Sequence, residues 1–300
     1  MILLTGSTGQ VGSALVQALA PFGRVVAPTR AELDLVHPAS VREFVRKVNP
    51  RWIVNPAAYT AVDKAESETA QAYAVNAELP RILGEEAAQS GAAVIHFSTD
   101  YIFDGEGTLP YTEKDIPAPH SIYGSTKLEG ERALAATGAA HLIFRTSWVY
   151  GATGKNFLLT ILNAAKARPE LRIVADQHGA PTWSRDLARL TNHAIARAET
   201  LANGRPLPEA LQPLSGVYHA CAAGETTWFG FAQAAVEHEQ QRDPAQKLAT
   251  LTPITTAEYP TPARRPANSR MDTSKLGSLL GFHFPQWQDS LNSVLAELHL

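Results

Sequence analysis

The first twelve residues, Met1-Ile-Leu-Leu-Thr-Gly6-Ser-Thr-Gly9-Gln-Val-Gly12, constrain the fold of this chain more than any other segment. A short apolar run passes directly into three glycines spaced G-x-x-G-x-x-G, and Ala14, Leu15, Ala18 and Leu19 behind them follow a helical period. Strand, glycine turn and helix in that order outline a dinucleotide site. Gly6 lets the chain turn sharply out of the strand, Gly9 leaves room for backbone N–H groups to approach a pyrophosphate, and Gly12 lets the helix pack close to the sheet.

The same unit recurs along the first half. Val/Ile/Leu-rich runs at 2–5, 24–27, 51–55, 93–98 and 141–146 alternate with helical patterns at 39–48, 70–91 and 123–136. This alternation predicts an α/β fold, a doubly wound parallel Rossmann sheet covered on both faces, with a smaller C-terminal substrate-binding lobe. After Gly151 the pattern predicts helices at 156–167, 184–198 and 226–239 and strands at 171–174 and 217–222, the last reading as one more central strand. Segments 203–213 and 259–268 read as loops. The expected organisation is a dinucleotide-binding body at 1–150, to which 184–223 returns, and a sugar-nucleotide lobe made of 151–183 and 224–300.

Composition narrows the partners. A net charge of -3 over 300 residues gives no general electrostatic reason to bind nucleic acid or an anionic membrane. No apolar stretch is long enough to span a bilayer, and Met1 leads straight into a core strand, so a cytoplasmic location is expected. The one cysteine, Cys221, sits in an apolar run and reads as a buried structural thiol. The histidines lack metal-ligand spacing, and no metal is assigned.

Two further constellations carry chemistry. Tyr123-Gly-Ser-Thr-Lys127 places a phenol and an ammonium one helical turn apart, an arrangement that lowers the phenol's pKa toward the working range. His96-Phe-Ser98-Thr99-Asp100 puts hydroxyls and a carboxylate at the C-terminal end of a central strand, where open parallel sheets bind ligands.

Gly6/Gly9/Gly12, Ser98-Thr99-Asp100 and Tyr123/Lys127 together resemble the extended short-chain dehydrogenases/reductases. The segments 55–66, 144–151, Asp176-Gln-His-Gly-Ala-Pro-Thr182 and 259–270 resemble, in order along the chain, the dTDP-4-dehydrorhamnose reductases. That resemblance implies reduction of the C4 ketone of a thymidine-diphosphate deoxyhexose to dTDP-L-rhamnose, the last step of dTDP-rhamnose synthesis. It makes Tyr123 the proton donor, Lys127 its partner and a ribose ligand, and Thr99 the residue that polarises the carbonyl. By the same resemblance Gly9, Gln10 and Val11 meet the pyrophosphate, Asp34 and Leu35 the adenine, and Ala58, Tyr59 and Thr60 are further cofactor contacts. Asp100 and Trp148 would contact the sugar, and Arg264 and Arg265 its diphosphate.

Two departures from the family pattern bear on cofactor and assembly. Some relatives hold Mg²⁺ at a dimer contact through glutamates; Ala14 and Arg185 stand at those places, which argues against a metal-bridged dimer and leaves a monomer or plain homodimer. At the end of the second strand Pro28-Thr29-Arg30 replaces the acid that commonly binds the adenosine ribose, so Thr29 and Arg30 are expected to bind a 2′-phosphate. NADPH is therefore the expected cofactor, with NADH possible. The alternatives are a 4-epimerase or 4,6-dehydratase of nucleotide sugars, or a non-catalytic protein like the regulatory subunit of methionine adenosyltransferase.

Overall fold

The computed structural model describes residues 1–298. Five strands, β1 (Ile2–Leu4), β2 (Val25–Val26), β3 (Trp52–Asn55), β4 (Ala93–Thr99) and β5 (His141–Thr146), join a sixth, Gly216–His219, in one sheet. The spatial order is Gly216–His219, β5, β4, β3, β1, β2, with every pairing parallel. β4 and β5 are buried along their whole length, which is why they lack the polar alternation of a half-exposed strand.

Alternate side chains feed two cores. On one face Ile2, Leu4, Val54, Ile95 and Phe144 pack against Leu15 of helix α1 (Gln10–Ala18) and against Leu187, Leu190 and Ile195 of the helix Ser184–Ala202. On the other, Leu3, Ile53, Val94 and Ile143 pack against Val41 and Val45 of α2 (Pro38–Val48) and Ile82 and Leu83 of the helix Leu79–Ser90. The chain thus forms the doubly wound sheet its periodicity implies. A separate aromatic core, with Tyr150, Trp183, Phe231 and Trp287, underlies the region beyond β5. Cys221 is buried, as its apolar surroundings in sequence imply. Among the described residues no helix is long and apolar enough to cross a membrane.

Four expectations need correction. The single helix expected over 70–91 is three pieces: Thr69–Tyr73, a π-helical turn Ala74–Glu78, and Leu79–Ser90. Pro80 explains the break, because it offers no N–H to the Asn76 carbonyl and its ring crowds that carbonyl, so the turn widens. The Asn76 oxygen faces Gly130 instead, where a Cβ would lie 2.0 Å from it. The loop expected over 203–213 contains the helix Leu207–Leu211, started by Pro208 and anchored by buried Leu207 and Leu211.

The strand expected over 217–222 is shorter, Gly216–His219, and lies at the sheet edge beside β5 instead of the centre. Gly216 and Val217 are partly buried and Tyr218 and His219 fully, so its apolar character reflects partial cover at an edge. Leu276, Leu280 and Phe284 join the core of the sheet, so this part of 224–300 packs with the main body and not with the lobe.

Candidate active site

The C-terminal ends of the parallel strands open into a cleft of about 660 Å³. Gly6, Gly9, Gln10, Val11 and Gly12 line one end, with Thr29, Arg30, Asp34 and Leu35 beyond β2 and Ala58, Tyr59 and Thr60 after β3. Thr99, Asp100, Tyr123, Lys127 and Trp148 line the other. Strands that all point one way bring residues far apart in sequence to one rim.

The glycine turn is packed too closely for a side chain at Gly6 or Gly12. Gly6 has φ +58, and a Cβ on Gly12 would lie 2.0 Å from the Gly6 carbonyl oxygen. α1 starts with no side-chain cap at Gly9 and no acid in its first turn, so its unpaired N–H groups and positive end face the cleft. These features fit the pyrophosphate of a dinucleotide. Gln10 donates from Nε2 to the Thr153 carbonyl at 2.7 Å, tying the turn to the segment after β5.

The end of β2 differs from expectation. Thr29 directs both its backbone N–H and its hydroxyl at the Glu32 carboxylate, at 2.7 and 2.9 Å. Its donors are therefore engaged, and a negative charge stands where the sequence reading placed only Thr29 and Arg30. The hydrogen bonds from Thr29 in turn hold the Glu32 carboxyl below its ordinary range.

Tyr123 is set by the start of the helix Ile122–Ala136. Ser121 caps it, accepting from the Gly124 N–H at 3.1 Å, and the Ile122 N–H donates to Glu66 at 2.9 Å. A Cβ on Gly124 would lie 2.1 Å from the Tyr101 carbonyl oxygen, so glycine allows this first turn to press on the turn after β4. The Tyr123 ring consequently meets Tyr101 edge-on at 5.5 Å. Thr99 Oγ1 donates to Asp100 Oδ1 at 3.0 Å beside it.

The electrostatics reverse one sequence inference. Burial pushes the Tyr123 phenol up to about 12, a hydrogen bond with Thr99 opposes the shift, and the Asp100 charge adds to it. Lys127 Nζ donates to the Phe97 carbonyl at 2.6 Å and lies 3.3 Å from His96 Nε2. Burial lowers Lys127 to about 8, with Glu131 acting in the opposite sense. Burial raises Asp100 to about 6 against hydrogen bonds from Ser269 and Thr99, and its Oδ2 is buried with no partner among the described residues.

Trp148 forms a wall of the cleft. It adopts φ +46, rare for a bulky residue, and stacks on Trp228 at 3.7 Å with the rings 12° apart. Gly179 makes room for it, since a Cβ there would lie 2.7 Å from the indole. Arg264 and Arg265 are not brought into this cleft; they line a neighbouring cavity with Tyr259, Asp176 and Arg270. Arg265 pairs with Asp63 and exposed Arg264 with Glu106, each at 2.8 Å. Arg185 is likewise engaged, with Glu297 at 2.5 Å. Lys155 and Trp228 also line the cleft, and sequence reasoning missed both. Neither lies in a spaced motif.

The family model of the RmlD substrate binding domain matches residues 1–300. The chain is 45% identical to a dTDP-4-dehydrorhamnose reductase of Burkholderia thailandensis, over 99% of this chain and 98% of that one. It is also 45% identical to the dTDP-4-dehydrorhamnose reductase of Escherichia coli K12, over 99% and 97%. Among solved structures, a dTDP-4-dehydrorhamnose reductase of Bacillus anthracis in complex with NADP is similar with a TM-score of 0.87, at 32% identity over 99% of this chain and 98% of that one. With the cleft, the full-length family match and these identities in agreement, the chain belongs to the dTDP-4-dehydrorhamnose reductase family.

Proposed function

We propose that this protein reduces the C4 ketone of dTDP-4-dehydro-6-deoxy-L-mannose to dTDP-L-rhamnose, with NADPH as reductant. The observation that carries this reading is the meeting of Thr99, Tyr123 and Lys127 on the rim of the cleft whose other end is the glycine turn. In this reading Gly6, Gly9, Gln10, Val11 and Gly12 hold the pyrophosphate, and residues 29–35 and 58–60 hold the adenosine half and its neighbours. The chemistry supplied with the bound dinucleotide is hydride delivery to C4.

The remaining steps fall to side chains. The Thr99 hydroxyl turns its one proton from Asp100 Oδ1 to the ketone oxygen and polarises it together with Tyr123, and the Tyr123 phenol gives its proton to the alkoxide as it forms. Reduction requires an acid, and a phenol raised to about 12 is fully protonated at neutral pH while remaining more acidic than the alcohol it creates. Charged Lys127 favours the phenolate left behind and offers an N–H to the nicotinamide ribose. The unpartnered Asp100 Oδ2 accepts a hydroxyl of the sugar, and Trp148 walls its ring.

The cavity holding Arg264 and Arg265 suits the nucleoside diphosphate, with Arg265 sharing its charge between Asp63 and the phosphates. The body that binds dinucleotide is then 1–150 with 184–223, and 151–183 with most of 224–300 binds the nucleotide sugar. The test supplies the purified protein with NADPH and the 4-keto sugar nucleotide, follows NADPH oxidation, and identifies the product by NMR. L-rhamnosyl nucleotide is expected; no turnover, or a C4 epimer of the L-rhamnosyl product, overturns the reading.

A further inference from the structure

β4 carries one imidazole, His96, with no access to solvent. Its Nε2 lies 3.3 Å from Lys127 Nζ, while its Nδ1 lies 3.2 Å from the Asn55 backbone oxygen and 3.0 Å from the Asn55 side-chain amide. Thr5 Oγ1 donates to the Asn55 side-chain oxygen at 2.5 Å. Asn55 and His96 are in register on β3 and β4, and Thr5 follows β1, so three adjacent strands carry one polar line from the glycine turn to Lys127.

Proton counting restricts this line. Burial and the Lys127 charge hold the His96 pKa well below its ordinary value, so the ring is neutral and has a single N–H. On Nε2 that proton would confront the Lys127 ammonium, donor against donor. On Nδ1 it is given to Asn55, and Nε2 becomes an acceptor for Lys127. The Asn55 amide, whose oxygen accepts from Thr5 Oγ1 and whose nitrogen faces Nδ1, then turns over to present its oxygen to the ring, and its contact with Thr5 lengthens from 2.5 Å to an ordinary N–H···O distance.

We propose that His96 is a positioning residue for the reduction: as the Nδ1–H tautomer, fixed by Asn55 and Thr5, it holds the Lys127 ammonium through Nε2. This rests on the role given to Lys127 above. Of the three ammonium protons, one goes to the Phe97 carbonyl and one to His96, leaving the third for the cleft that Lys127 lines. Two other titratable groups act on the pair. Glu131, one turn beyond Lys127 and paired with Arg145 at 2.7 Å, favours the charged amine, and His141 on β5 disfavours charge on His96. Both remain when His96 is replaced, so the effect of the imidazole is separable from theirs.

Removing the acceptor leaves burial less opposed, so Lys127 gives up its proton at lower pH. In His96→Leu the alkaline fall of kcat should begin about one pH unit below that of the wild type, and on that limb kcat should be about tenfold lower. His96→Gln, whose side-chain oxygen replaces the acceptor, should restore the limb. In the wild type, ¹⁵N NMR of histidine-labelled protein should show His96 protonated on Nδ1 and bare on Nε2 at neutral pH. A proton on Nε2, or an unshifted limb in a folded His96→Leu variant, overturns the proposal. The tautomer is read without substrate, so it decides the point even if His96→Leu fails to fold, and failure of the wild type to turn over the keto sugar nucleotide would count against the proposed reaction alone.

Discussion

The two ends of the proposed ligand-binding region are built by different means. At the glycine end the contacts are local: the Gly9 N–H donates to the Gly6 carbonyl at 3.0 Å, and that same carbonyl excludes a Cβ from Gly12. At the arginine end, residues 259–270 have no helix or strand beyond a single bridge at Asn268. They are pinned by distant partners: Asp63 on Arg265 and on the Ala263 N–H, Glu106 on Arg264, and Glu225 on Arg270. A turn whose backbone touches itself admits no new atom, whereas a mesh of partly exposed ion pairs loses one member at modest cost. The first end should therefore respond steeply to a methyl group and the second gradually to the loss of a charge.

Tyr123, which lines the cleft with the glycine turn, should give the largest effect. Tyr123→Phe is expected to lower kcat by at least ~10²-fold, the scale of losing a general acid, with dinucleotide affinity little changed in an equilibrium titration. Retention of most of kcat would remove the phenol from the reaction. At the glycine end, Gly12→Ala forces a methyl group against a backbone oxygen and should weaken NADPH binding at least about tenfold. A Kd within error of the wild type would mean that the turn is softer than its contacts imply.

Arg265→Ala should raise KM for the sugar nucleotide about tenfold, the order expected for one charge-assisted contact, and leave KM for NADPH nearly unchanged. It should also let the Asp63 carboxyl, held low chiefly by its hydrogen bond with Arg265, rise toward its ordinary value, which an NMR titration would detect. Equal rises in both KM values would erase the contrast between the ends. The smallest effect concerns cofactor choice. Glu32 sits on both Thr29 donors, so Glu32→Gln should raise the ratio of kcat/KM for NADPH over NADH about threefold, and Arg30→Ala should lower it. An unchanged ratio in both variants would show that neither charge meets the 2′-phosphate.

Much of the sheet and of the cleft lining was legible because the signals are short-range. The glycine spacing, the apolar run that ends in Ser98-Thr99-Asp100, and the i, i+4 placement of Tyr123 and Lys127 each follow from the period of one strand or helix. What escaped depends on more distant neighbours. The π-turn before Pro80 fits only because Gly130, on another helix, leaves room for the Asn76 oxygen. Trp228 reaches the cleft only by stacking on Trp148, eighty residues earlier in the chain.

By itself the sequence determined the parallel doubly wound sheet, the glycine turn that fits a pyrophosphate, and the gathering of a threonine, a tyrosine and a lysine at the strand ends. Apolar periodicity and glycine spacing act within a few residues and need no tertiary partner to be read. Only the tertiary structure decided the direction of the Tyr123 shift, the capture of Thr29 by Glu32, the seating of Lys127 on Phe97 and His96, and the separation of the two arginines from the main cleft. Protonation and ion pairing depend on the depth of burial and on every charge nearby, and those are properties of the packed chain, not of any one segment.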